Sequence, residues 1–186
     1  MLIRPYVATD RELVSALDVV TEVNSIGDIR LTDGRFTWRE SPLQAARTKQ
    51  HDVAGCLDEA PRPWDEGFVA VVDGRVVGFA ATSLSAWNGR LVLHHMYVDS
   101  GARGSGVGTA LLHACLSSDG ARDAQHVWLE TQTDNVPAIR AYERMGFRVV
   151  GLDQTLYGDR AEADTAVFMS QPIGHERALT GGEQLV

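Results

Sequence analysis

A chain of 186 residues, 44% hydrophobic and 23% charged, has the composition of an ordinary globular protein and can bury one core without disulfide or metal staples. Its formal charge of -8 argues against a nucleic-acid partner, because phosphate binding relies on clustered Lys and Arg. No apolar run approaches a membrane span, Met1-Leu-Ile-Arg-Pro-Tyr lacks a signal-peptide layout, and the two cysteines, Cys56 and Cys115, lie far apart; a cytoplasmic protein with free thiols, no membrane partner and no metal is expected.

In chain order, residues 2–7 read as a first strand, and Thr9 or Asp10 is placed to cap a helix over 11–20. Residues 21–40 carry Gly27, Gly34 and scattered polar side chains and support no assignment. Ser41-Pro42, with proline at a first helical position, predicts a helix to about Glu59, stopped by Pro61-Arg-Pro63. Apolar stretches 68–72 and 76–82 flank Asp73-Gly74, a strong hairpin signal, and Asn88-Gly89 links the second to a strand over 91–98. Three antiparallel strands follow from this.

Val107, Ala110, Leu111, Ala114 and Cys115 recur at helical period, which predicts a helix over 107–116 with one apolar stripe. Residues 126–131 then form a short strand, completing a strand–helix–strand crossover and a parallel pair. Asn135-Val-Pro starts another helix by side-chain capping, Gly146 ends it, and 147–156 with 165–170 form a closing antiparallel pair. The expected fold class is mixed α/β: a largely antiparallel twisted sheet with a central parallel pair and helices on both faces. One domain over 1–173 is expected, with 174–186 as a flexible tail.

Between the third of these strands and the helix after it runs Arg103-Gly104-Ser105-Gly106-Val107-Gly108. Alternating glycines let the backbone turn tightly and expose successive N–H groups, and the helix behind aims its positive dipole end at the loop. With Arg103 at its edge, this is a phosphate cradle; the plainer reading is a flexible turn. A dinucleotide fingerprint fails because Thr109 stands where its third glycine belongs and hairpins precede it. A Walker-type loop fails for want of a Lys-Ser/Thr pair.

Downstream lie Glu130, Asn135 and Tyr142, ending in Met145-Gly146-Phe147. Tyr142 can pack its ring beside Ile139 and Met145 or offer its phenol as a proton donor, and Glu130 is a carboxylate able to take a proton or merely to attract a cation. His94 and His95, neighbours on a strand, are expected on opposite faces; either is an alternative base, and more often such residues are structural. Trp38, Trp64 and Trp87 are candidates for acceptor recognition, Trp64 standing beside Asp65 and Glu66, but core packing is the simpler account. Cys115 falls in the apolar stripe and Cys56 has no partnered base, so no covalent intermediate is expected.

The run from Val98 to Gly108 resembles the acetyl-CoA pyrophosphate loop of the GNAT N-acetyltransferase superfamily, and Glu130, Asn135 and Tyr142 are similar to that family's second motif. The likeness spans residues 68–147 and is nearest to ribosomal-protein alanine and streptothricin-type members; residues 8–65 carry none. Ser100-Gly101 stands where many members have a proline, which bears on loop stiffness. The resemblance implies two strands splaying to admit acetyl-CoA, with the backbone of Met96, Tyr97 and Val98 pairing the pantetheine arm and offering an N–H to the oxyanion. It further implies that Arg103 and the amides of Gly104, Ser105, Gly106, Val107, Gly108 and Thr109 hold the pyrophosphate, that Asn135 contacts the pantetheine or thioester, that Tyr142 is the acid and that Glu130 is a candidate base. The expected activity is acetyl transfer to a primary amine by direct attack, on a small cationic molecule or a peptide N-terminus, with a homodimer admissible. A non-catalytic acyl-CoA sensor of the same fold is the alternative.

Overall fold

Asp73 and Gly74 both take positive φ, 49° and 78°, the geometry that twists two strands into a tight hairpin. In the computed structural model, which describes residues 1–158 and 164–174, this turn joins β4 (Glu66–Val72) to β5 (Arg75–Ser85). A four-residue turn ending in Asn88-Gly89 leads to β6 (Arg90–Val98), so the three strands are antiparallel as expected. β1 (Leu2–Pro5) adds to the outer edge of β4. The sheet continues through β7 (His126–Gln132), which pairs parallel to β6, and closes with β9 (Ala166–Pro172) and the edge strand β8 (Arg148–Asp153). Its order is β1-β4-β5-β6-β7-β9-β8.

Helices cover both faces. α3 (Val107–Leu116) lays Val107, Leu111, Leu112 and Cys115 on β4 and β5. It shares one core with Ile139 of α4 (Val136–Arg144), Phe147, and Leu129 and Met169 of the sheet. At about 1.5–3 kcal/mol for each large apolar side chain fully buried, this stripe outweighs the modest propensity of a ten-residue helix. The opposite face of β4 and β5 carries a second core, in which Val14, Leu17, Val53 and Trp64 meet Val69, Phe79 and Ala81.

The first third of the chain departs from expectation. α1 covers only Arg11–Ser15, and Asp10, rather than capping it through its side chain, accepts from the Val7 N–H at 3.0 Å and forms a bidentate ion pair with Arg4. The unassigned segment is β2 (Thr21–Thr32), and the helix expected from Ser41-Pro42 is instead the interior of β3 (Arg35–Lys49); together they make a separate two-stranded sheet. Pro42 pairs with Ser25 where the ladder shifts register, the kind of irregular site where a residue without an N–H is tolerated in a strand. The only helix left from the expected 41–59 is α2, Val53–Leu57, capped by Asp52 accepting from Gly55 N–H at 2.8 Å.

This hairpin docks on the connection between β7 and α4. Gly27 N–H donates to the Thr133 carbonyl at 2.8 Å, Trp38 Nε1 donates to Glu143 at 2.7 Å, and Arg140 pairs with Glu40. Asp134, 1% exposed, is held by Lys49 Nζ at 2.6 Å and Arg47 Nη2 at 2.9 Å. Within the domain expected over 1–173 the last described element, β9, ends at Pro172, and the expected tail lies, apart from Gly174, outside the described residues. Among the described residues no helix is long and apolar enough to cross a membrane.

Candidate active site

The parallel pair is short. β6 and β7 pair from Arg90↔His126 to Leu93↔Leu129 and no further. Beyond that point Met96, Tyr97 and Val98 pair only with Ala80, Phe79 and Gly78 of β5, while Glu130, Thr131 and Gln132 pair only with β9. The facing edges therefore open into a V lined by unpaired backbone groups, which an extended ligand can join as an added strand.

A bulge starts the divergence. Ala81 pairs with His95 and Thr82 with Leu93, leaving His94 as the extra residue of β6. This corrects the expectation that the two histidines point to opposite faces: their rings lie 6.3 Å apart, centroid to centroid. His94 Nε2 meets Ser83 Oγ at 2.8 Å, and His95 is buried between Phe79 and Tyr97. Burial and the neighbouring His94 push the His95 imidazole down to about 4, so it is neutral at pH 7.

At the mouth of the V stands the glycine loop. Gly104 and Gly106 have φ of +77° and +86°, with open space where a Cβ would project. Of the amides from residue 104 to 109, only that of Ser105 is engaged, with the Ala102 carbonyl at 3.4 Å; those of Gly104, Gly106, Val107, Gly108 and Thr109 have no partner among the described residues. Five unpaired N–H groups at the start of a ten-residue helix form a built anion cradle, and the diphosphate of an acyl-CoA fits it. Arg103 makes two main-chain contacts of its own. Its Nη1 donates to the Val20 carbonyl at 2.8 Å and its Nε to Val98 at 3.3 Å, so it also ties the loop to the chain entering β2. Where a proline was missing, Asp99 and Ser100 supply stiffness: Asp99 accepts from Gly101 and Asp18 N–H groups, and Ser100 binds Asp18.

Gly108 is where three elements converge. A Cβ there would meet Met145 Cε of α4 at 3.1 Å, Met96 Sδ at 3.7 Å and Val98 Cγ2 at 3.8 Å. Tyr142, one turn before Met145, therefore stands beside the opening, its ring edge-on to Phe147 at 5.5 Å. Its hydroxyl has no partner among the described residues, and burial alone pushes the phenol up to about 12. Asn135 occupies the helix-capping position without capping it: Pro137 lacks the N–H that a cap would bind, and Ala138 N–H goes to the Asn135 carbonyl at 3.0 Å. Its side-chain amide has no partner among the described residues.

Glu130 is exposed on the strand edge, and its Oε1 accepts from Gln132 Nε2 at 3.1 Å and from the Tyr157 hydroxyl. Gln132 and Tyr157 carried no signal in the sequence, since only the β8–β9 connection brings residue 157 over β7. The tryptophans separate: Trp64 is core, with Arg62 4.1 Å above its ring, Trp38 anchors the hairpin, and Trp87 is 88% exposed at a turn. Cys115 is buried, which pushes its thiol up to about 12, and Cys56 lies beside the Tyr97 phenol. A cleft of about 650 Å³ lies between the hairpin and α4, lined in part by Glu22, Asn24, Glu40, Pro137 and Arg140; neither Glu130 nor Tyr142 lines it.

A sheet parted along one parallel pair, with an anion cradle at the mouth and an unpartnered phenol beside it, suits an extended acyl-thioester arm and defines an acyl-CoA-dependent transferase. The chain belongs to the acetyltransferase (GNAT) family, whose model matches residues 23–147. It is 38% identical to a streptothricin acetyltransferase of Streptomyces lavendulae over 170 residues, 88% of this chain and 90% of the relative. The crystal structure of nourseothricin acetyltransferase superposes with a TM-score of 0.76 at 36% identity, covering 93% of this chain and 98% of that one. A Bacillus anthracis structure in complex with acetyl coenzyme A has the same fold, with a TM-score of 0.80 at 22% identity over 92% and 98% of the two chains. The protein is accordingly an acetyl-CoA-dependent N-acetyltransferase.

Proposed function

We propose that this enzyme, a single catalytic domain over residues 1–173 working in the cytoplasm, acetylates a primary amine of a streptothricin-type antibiotic by direct attack within a ternary complex. The observation that carries the acceptor is the extent of the likeness: it runs over 88% of the chain, well beyond the shared cofactor-binding half that all such transferases need. The net charge of -8 favours a cationic acceptor.

The residues divide the chemistry as follows. The free amides from Gly104 to Thr109, Ser105 excepted, grip the diphosphate with Arg103 at the edge, and the open edge of Met96, Tyr97 and Val98 aligns the pantetheine arm, helped by the free amide of Asn135. Glu130 takes a proton from the acceptor ammonium. The freed amine forms a C–N bond to the thioester carbonyl, whose oxygen is stabilised by an N–H of the β6 edge. As the C–S bond breaks, Tyr142 gives its proton to the departing sulfur; a phenol pushed up to about 12 is fully protonated at neutral pH, as an acid must be.

A thiol-release assay over a panel of streptothricin, simple lysine-like amines and an N-terminal alanine peptide tests the reading. Turnover should be highest on streptothricin. CoA binding without turnover on any amine would indicate a sensing domain, and preference for the peptide would overturn the acceptor assignment.

A further inference from the structure

The hairpin made by β2 and β3 reaches the candidate base through side chains that no motif reading assigns. Lys49, the last residue of β3, donates from Nζ to Asp134 Oδ1 at 2.6 Å, to Asp164 Oδ2 at 3.0 Å and to Gln132 Oε1 at 3.4 Å. An amide whose oxygen faces an ammonium must turn its NH₂ the other way. Gln132 Nε2 accordingly donates to Glu130 Oε1 at 3.1 Å and to the Tyr157 hydroxyl at 2.8 Å, and that hydroxyl donates in turn to the same Glu130 oxygen. One carboxylate oxygen is thus anchored twice. Oε2 has no partner among the described residues and is the oxygen left for an acceptor.

We infer that Gln132 is a positioning residue, its amide oriented by Lys49 of the hairpin so that, with Tyr157, it fixes one oxygen of Glu130 and presents the other. The inference rests on Glu130 acting on the acceptor. Glu130 lies where β7 has left β6, an exposed side chain; without these bonds a freely rotating carboxylate would forfeit much of the rate that orientation supplies. The same network explains why the hairpin is latched so firmly beside the β7–α4 connection: movement of Lys49 would release Gln132.

Two measurements decide it. In ¹⁵N spectra, the Gln132 side-chain NH₂, identified by its loss in Gln132→Leu, should resonate away from the solvent-exposed position and return towards it in Tyr157→Phe and in Lys49→Met. In steady state, Gln132→Leu and Tyr157→Phe should each lower kcat roughly tenfold to a hundredfold. KM for acetyl-CoA should stay within about twofold, because the anion cradle is separate from this network. In a Glu130→Gln background those losses should largely vanish, since residues acting through one group are not additive. An unmoved amide resonance, or losses that persist in full without the Glu130 carboxylate, would overturn the role of Gln132. Undiminished turnover in Glu130→Gln alone would instead remove Glu130 as the base, and Gln132's role with it, even if the resonance shifts show that the network exists. Melting curves on every variant separate these outcomes from unfolding.

Discussion

At the residue scale, Tyr142 and His95 show how burial selects a protonation state. Desolvation alone lifts the Tyr142 phenol, so the proton is retained across the whole neutral range and the hydroxyl keeps a hydrogen to donate. Tyr142→Phe keeps the ring packed on Phe147 and deletes the proton; kcat should fall about a hundredfold or more while calorimetric affinity for CoA changes little. His95 moves the other way, from 6.5 down to about 4. Because the folded state binds its proton more weakly than the unfolded chain, the unfolded state takes up more protons as pH falls through that window, and stability must fall with it. The melting temperature should therefore drop between pH 6.5 and about 4, and His95→Gln should flatten that part of the profile.

At the element scale, the loop into α3 and the hairpin act differently. Gly106 starts α3 with a positive φ that other residues adopt at a cost, and its neighbouring amides form the proposed diphosphate cradle. Gly106→Val should abolish measurable CoA binding by calorimetry while leaving the α3 packing on β5, and hence most of the melting temperature, intact. The hairpin is a latch. Asp134 is buried, and Lys49 and Arg47 are its cations, each with part of its side chain in water. Replacing both with Met leaves a buried carboxylate unpaired; the cost should be about 2–3 kcal/mol by urea titration, less than the about 3–5 of a fully enclosed pair. Protease should then cut the hairpin before the main sheet. A loss under about 0.5 kcal/mol would show that water, not the latch, satisfies Asp134.

At the scale of the whole molecule, a chain of net charge -8 must bind the anionic acetyl-CoA and, in the proposed function, a cationic acceptor. Long-range attraction is screened beyond about 8 Å at 0.15 M salt, so kcat/KM for streptothricin should decline as ionic strength rises from about 0.01 M, whereas that for acetyl-CoA should not. A flat response for the antibiotic would mean that contact geometry alone selects it.

What could be read from the chain without its structure follows from local rules. Asp73-Gly74, the period of the 107–116 helix and the strand after it are each dictated by neighbours within a few residues, and each stands as expected. The missed hairpin had a readable sign, because Asp33-Gly34 is the same dipeptide as Asp73-Gly74 and takes the same positive φ pair, 51° and 74°. Pro42 outweighed it as a helix start because nothing local tells a first helical turn from a strand irregularity. Other features were decided only by tertiary structure: the bulge that turns His94 and His95 to one side, the parting of β6 from β7, and the meeting of Lys49, Gln132, Glu130 and Tyr157. Those depend on register between strands and on contacts across 25 to 83 residues, where sequence spacing carries no information about which partner a side chain will find.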